Sequence, residues 1–290
     1  MDLTISAIED SLKSFISEDI GHGDITSNAI VDPVDMGEGR VVCKENAVIA
    51  GIEESIMLLE LAKCNARPMV RDGEWVNAGT TILSVKGPAR GLLSTERTLL
   101  NLLSHMSGVA TATAELVSIV TKSNKNKVRI ACTRKTLPGL RYFEKRAVEL
   151  GGGDTHRLRL DDAVLIKDNH LGFTDSIAGA VKTAKAKVSF TKKIEVEVTS
   201  PDQVIEAARA GADIVLLDNM SRQDVANSVA SLEGKGLREK VMIEASGGIT
   251  KENLASYAKT GVDVISVGAI THSAKAIDMS MEIKASKKRR

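Results

Sequence analysis

The chain has 290 residues, 43% of them apolar and 27% charged, with a formal net charge of +1. That is the composition of an ordinary globular protein long enough for one large core or two smaller ones. A near-neutral field excludes a general polyanion-binding surface, and only 2% aromatic residues excludes a platform for stacked bases.

The first segment, MDLTISAIEDSLKSFISEDIG, reads as an amphipathic helix. It contains acids and lacks the basic start and long apolar run of a signal peptide, and no segment has the length and apolarity of a membrane span. The isolated Cys43, Cys64 and Cys132 follow no metal spacing and read as reduced core thiols, so a cytoplasmic protein is expected. The loop GHGDITS (Gly21 to Ser27) is tight, without an evident chemistry. GRVVCKENAVIAG, ARPMVRDG and TTILSVKG carry strand patterns, with the helix IEESIMLLELAK among them. DGEWVNAGT places glycine turns between strand patterns and suggests an antiparallel hairpin layer. It also resembles the hairpin of biotinyl or lipoyl carrier domains, but no lysine stands at its tip. Leu92 to about Lys122 reads as one long helix with Leu92, Leu93, Leu99, Leu100, Leu102 and Leu103 on its apolar face.

From about Val128 to Thr271, six apolar runs recur: VRIACT, AVLI, KIEVEV, ADIVLL, VMIEA and DVISV. Their length and β-branched content suit buried parallel strands, and helical stretches separate most of them. Six strands rather than eight predict an open, incomplete TIM-like α/β barrel behind an N-terminal α/β sandwich. The expected division is 1–108 for the sandwich, joined by a C-terminal helix over 275–290, and 109–274 for the barrel. The terminal KKRR reads as a solvated helix end.

Functional-looking residues stand at the carboxyl ends of these runs, where α/β barrels place their chemistry. Arg134, Lys135, His156, Arg157 and Lys167 form a basic group, which Arg97 joins from the long helix. Cations converging on one small volume need an anionic partner, and arginine offers bidentate geometry for carboxylate or phosphate. In IEVEV, Glu195 and Glu197 point the same way, with Glu197 nearer the mouth. With Asp218 they find partners in the lysines, in ligand hydroxyls or in Mg²⁺. Glu244 and Asp213 are weaker candidates. Ser246-Gly247-Gly248 and Gly268 each follow a strand and precede a helix, a place where backbone N–H groups bind phosphate. His272 either assists or caps a helix. Gly151-Gly152-Gly153 forms a flexible or close-packed loop. No dinucleotide-binding fingerprint is found where such a fold needs one.

EDIGHGDITS, ERTLLNLLSHMSG, TRKTLPGLR, EKRAVELGGGDTHR, LIKDNH, IEVEV, LLDN, EASGGIT and GVDVISVGAITHS together resemble the quinolinate phosphoribosyltransferase family, in the family's order and over nearly the whole chain. Arg159 and Thr155, beside the HR pair, depart from residues often found in the family. The resemblance implies condensation of quinolinate with phosphoribosyl pyrophosphate, giving nicotinate mononucleotide, pyrophosphate and CO₂, with Mg²⁺. It implies a homodimer, or a hexamer of dimers, in which Arg97 reaches into the partner's site. It assigns Thr133, Arg134, Lys135, His156, Arg157 and Lys167 to the pyridine dicarboxylate. Glu197 and Asp218 fall to the ribose hydroxyls, directly or through the metal, and Ser246, Gly247, Gly248 and Gly268 to the 5′-phosphate. Lys135, Lys167, Glu197 and Asp218 are then the catalytic set.

Overall fold

The computed structural model describes residues 5–123 and 128–286. In chain order the first elements are α1 (Ile5–Ile20), α2 (Ile25–Ile30), β1 (Met36–Cys43), β2 (Ala47–Val48), α3 (Ile52–Leu61), β3 (Asn65–Pro68), β4 (Trp75–Val76), β5 (Thr80–Pro88) and α4 (Ala89–Ser123). There follow β6 (Arg129–Ala131), α5 (Arg141–Leu150), β7 (Val164–Ile166), α6 (Asp168–Leu171), α7 (Ile177–Lys187), β8 (Ile194–Val198) and α8 (Pro201–Ala210). The last are β9 (Ile214–Asp218), α9 (Arg222–Gly234), β10 (Met242–Ser246), α10 (Lys251–Ala258), β11 (Val264–Ser266), α11 (Ala269–His272) and β12 (Met279–Ala285). The chain divides into two compact units, one of residues 1–114, 137–152 and 273–290, the other of 115–136 and 153–272.

The first unit is built on a four-stranded sheet in the order β12-β1-β5-β3, antiparallel throughout. Val41 of β1 is fully buried between Met281 and Leu83 on its two neighbours. The C-terminal segment is therefore a strand, not the helix expected over 275–290. Good helix formers suggested the helix, but Met279 and Met281 alternate with more exposed residues and complete the edge of β1, so pairing overrides propensity. The terminal KKRR lies outside the described residues. The strands that flank DGEWVNAGT, β3 and β5, pair antiparallel as the glycine turns suggest, while Trp75-Val76 between them pairs with Ala47-Val48. In α4 the leucines expected on its apolar face are buried, except Leu93, which is 37% exposed.

Two sequence features resolve here into packing. Asp24 of GHGD caps α2, accepting from Ser27 N at 2.9 Å, and it accepts also from the Ser94 hydroxyl at 3.1 Å. Gly151 lets α5 end against α4, since a Cβ there would meet Ala110 O at 2.4 Å. Among the described residues no helix is long and apolar enough to cross a membrane.

The second unit holds a six-stranded sheet in the order β6-β11-β10-β9-β8-β7, parallel at every pairing. All six expected runs are strands, and the order is that of a barrel left open between β6 and β7. One isolated parallel bridge, Ala131 to Asp154, extends the β6 edge. Val196, Val215, Leu217, Ile243 and Ile265 are fully buried along this sheet. Because every pairing is parallel, the carboxyl ends of all six strands lie on one side of the sheet.

Candidate active site

A cavity of about 280 Å³ opens at the carboxyl ends of the parallel strands, wholly within the second unit. Thr133, Arg134 and Lys135 follow β6, and His156 and Arg157 come from the loop before β7. Lys167 follows β7 and caps α6, Glu197 lies on β8, Asp218 ends β9, Glu244 and Ser246 lie on β10 and Ser266 on β11. These residues are far apart in sequence and meet because all six strands run parallel, with their carboxyl ends on one side of the sheet.

The acids sort by depth as the alternation of IEVEV requires. Glu197, near the mouth, accepts from Lys167 Nζ at 2.5 Å. Glu195 is 1% exposed, beneath the site, with His156 Nε2 3.5 Å away; Glu244 accepts from the same nitrogen at 3.2 Å. Burial opposes a charge on His156, but the hydrogen bonds to Glu195 and Glu244 prevail and raise it to about 10. Arg157 N approaches His156 Nδ1 at 2.8 Å, a contact that suits the neutral ring. The carboxylates outweigh it, because two buried acids beside an uncharged ring would leave negative charge unpaired. Burial pushes Glu195 up, against the hydrogen bond from His156. Burial, and then the charge of Arg134, lower Arg157. That repulsion marks a pocket of cations prepared for an anion.

Three buried polar atoms here have no hydrogen-bond partner among the described residues: Arg134 Nε, Glu195 Oε1 and Ser266 Oγ. Arg134 and Ser266 both line the cavity. Such atoms are costly unless a ligand satisfies them.

The loop Ser246-Gly247-Gly248 has two successive left-handed residues, with φ of 88° and 62° at the glycines, before α10 begins. A Cβ on Gly247 would fall 2.3 Å from Asn219 Oδ1, so only glycine fits. Gly268 precedes α11, where a Cβ would stand 3.0 Å from Lys135 Cδ. Thr271 donates its hydroxyl to Lys135 O at 2.7 Å and joins that loop to the Gly268 turn. His272 ends α11, and a Cβ on Gly268 would lie 3.4 Å from its Nε2. His170 Nδ1 accepts from Lys167 N at 3.0 Å and fixes the backbone of that lysine.

Not every candidate arrives. Asp213 stands at the amino end of β9, pairs with Lys193 at 3.0 Å and accepts from Ile194 N, so it is a structural acid away from the mouth. Arg97 belongs to the first unit, exposed on α4. Sequence reasoning gave no role to Ser266, nor to Asn219 beyond its place in LLDN. A serine inside the apolar run DVISV was the available signal for the first. The second is betrayed only by its φ of 54°.

A parallel α/β barrel whose mouth combines several cations, two acids and a glycine loop defines an enzyme that binds carboxylate and phosphate groups together. The comparisons agree. The quinolinate phosphoribosyl transferase family matches through its N-terminal domain over residues 24–107 and its C-terminal domain over 109–282. The probable nicotinate-nucleotide pyrophosphorylase (carboxylating) of Methanothermobacter thermautotrophicus is 46% identical over 96% of this chain and 99% of its own. The Mycobacterium leprae nicotinate-nucleotide pyrophosphorylase (carboxylating) is 38% identical over 97% and 99%. The crystal structure of NadC from Streptococcus pyogenes superposes with a TM-score of 0.91 at 36% identity, covering 99% of this chain and all of that one. The chain belongs to the quinolinate phosphoribosyltransferase family.

Proposed function

We propose that the protein transfers the phosphoribosyl group of phosphoribosyl pyrophosphate to quinolinate and releases CO₂, giving nicotinate mononucleotide for NAD biosynthesis. The observation that carries this is one cavity holding Arg134, Lys135, Arg157 and Lys167 against Glu197 and Asp218, with the Ser246–Gly248 loop at its edge. Two carboxylates on one small ring need several cations, and a phosphoribosyl donor needs acids for its hydroxyls and a glycine turn for its phosphate.

Arg134, Lys135, His156, Arg157 and Lys167, with Thr133 beside them, hold the two carboxylates and aim the ring nitrogen at ribose C1. The nitrogen lone pair forms the N–C1 bond as the C1–O bond to pyrophosphate breaks. Glu197 and Asp218 stabilise the positive charge that develops on the ribose. Ser246, Gly247, Gly248 and Gly268 hold the 5′-phosphate. The alkylated ring nitrogen is then cationic, and its charge stabilises the carbanion left at the neighbouring carbon when the C–C bond breaks and CO₂ departs. A proton on that carbon completes the product. Positioning and electrostatics supply the catalysis, and no protein nucleophile takes part.

Glu197 and Asp218 offer hard oxygen donors at the ends of adjacent strands, a set that suits Mg²⁺ arriving with phosphates and retaining waters. When bound, Mg²⁺ neutralises charge on the departing pyrophosphate. In the other acidic cluster, the His156 imidazole already pairs with both Glu195 and Glu244. We further propose a homodimer, or a hexamer of such dimers, in which exposed Arg97 serves the partner's site. A cytoplasmic setting accords with three free, buried cysteines.

The test is turnover with phosphoribosyl pyrophosphate and Mg²⁺, run separately with quinolinate and nicotinate while following CO₂ and mononucleotide. Product and CO₂ from quinolinate alone is the expected result, and product from nicotinate alone overturns the substrate. Mixing Arg97→Ala with Lys135→Ala protein should restore activity if sites are shared between subunits; no restoration overturns that arrangement.

A further inference from the structure

Asn219 holds a backbone conformation that side chains rarely adopt, with φ of 54°, at the end of β9. Such residues cost of order 1 kcal/mol and persist where the surroundings fix them. Three contacts fix this one. Its Nδ2 donates to Asp218 Oδ2 at 2.9 Å. Its backbone N donates to Ser246 O at 2.9 Å. Its side chain fills the space beside Gly247, where an added Cβ would come within 2.5 Å of Cγ. One exposed residue therefore touches both the acid ending β9 and the glycine loop ending β10.

We propose that Asn219 is a positioning residue that sets the Asp218 carboxylate in register with the Ser246–Gly248 loop, so that the ribose hydroxyls and the 5′-phosphate of one donor are held at a fixed spacing. This rests on the assignment of Asp218 and the glycine loop to phosphoribosyl pyrophosphate. The chemistry requires it in two ways. An amide N–H beside a carboxylate favours those rotations of the acid that keep an oxygen on the donor. The left-handed backbone, which asparagine tolerates, is what turns the amide back toward the preceding residue while its N–H reaches the neighbouring strand. The side chain acts through Asp218 and takes no part in the bond-making step.

Asn219→Gly keeps the left-handed backbone and the N–H to Ser246 but removes the amide. Asn219→Asp keeps the shape but replaces the donor with a second negative charge. Both are compared with wild type for KM of each substrate, kcat and unfolding midpoint. Calorimetric binding of phosphoribosyl pyrophosphate with Mg²⁺ gives a readout independent of turnover. Asn219→Gly should raise KM and Kd for the donor about tenfold, as loss of a hydrogen bond to a charged group does, and leave KM for quinolinate within about twofold. Asn219→Asp should lose more. In an Asp218→Ala background, Asn219→Gly should add nothing, because its target is gone. Additive losses, equal rises in both KM values, or unchanged donor binding overturn the role. If wild type binds no phosphoribosyl pyrophosphate, the functional assignment itself falls; if wild type binds it and Asn219→Gly binds it equally, only the positioning role falls.

Discussion

Lys167 Nζ lies 2.5 Å from Glu197 Oε2, so a cation at the end of β7 and an acid at the end of β8 are already paired at the cavity. The strands are neighbours in the sheet, with Leu165 beside Glu195 and Ile166 beside Val196. The lysine side chain is 42% exposed, which screens the pair and leaves it weak enough to open. On the proposed function, an incoming carboxylate would compete with Glu197 for this lysine and release the acid toward the ribose.

Glu197→Gln should therefore separate two effects. The acid that stabilises ribose charge is lost, and kcat should fall by about 100-fold, the scale of one electrostatic stabiliser. Lys167 is freed, so KM for quinolinate should not rise. Steady-state kinetics with each substrate varied checks this, and a raised quinolinate KM at unchanged kcat would contradict it.

Lys135→Ala removes an exposed side chain whose backbone contacts, from Thr271 and to Thr133, remain. Stability should change by no more than about 0.5 kcal/mol. Activity should fall by roughly 30-fold or more, as for loss of a charge-assisted bond to substrate. Equal losses of stability and activity, measured by denaturant titration and turnover, would remove Lys135 from the site.

His156 gives a pH signature. Its pKa is raised from 6.5 to about 10 by Glu195 and Glu244, which prevail over burial. A raised value stabilises the fold fully below pH 6.5, and that contribution is lost as pH climbs through 10. His156→Asn tolerates the φ of 51° at this position but leaves two buried acids without their cation. It should cost about 3 kcal/mol near neutrality. The gap to wild type should narrow between pH 7 and 10 as wild type loses its own share. Denaturant midpoints across that range decide it, and a constant gap would mean that the ring is not charged.

Gly108→Ala tests the seating of the C-terminal segment in the first unit. An added Cβ would stand 2.2 Å from Lys275 O, on backbone that leads into β12. Ile277 N also donates to Ser104 O on the same helix, so the segment cannot slide freely. The substitution should cost about 1–3 kcal/mol. A thermal midpoint equal to wild type would show that the segment yields.

Much of the architecture was legible because buried parallel strands must be short, apolar and β-branched, as VRIACT through DVISV are. The site was legible for a related reason: polar and charged residues concentrated where those runs stop. The C-terminal strand was misread because MSMEIKA has both helix formers and two-residue alternation, and only the open edge of β1 selects between them. Residues 137–152, which include α5, lie in sequence between two barrel strands yet cluster with the first unit, a choice made by packing alone.

By itself, then, the sequence determined which residues carry charge at strand ends, and hence that the protein handles compact anions. Local patterning suffices for that, since apolar periodicity and turn chemistry act over a few residues. Only the tertiary structure decided how those residues pair. His156 joins Glu195 and Glu244, Lys167 joins Glu197, and Asn219 joins Asp218 to the Gly247 loop. These partners are distant in the chain or separated by a left-handed turn, and their positions are set by strand order and sheet register, which no window of sequence contains.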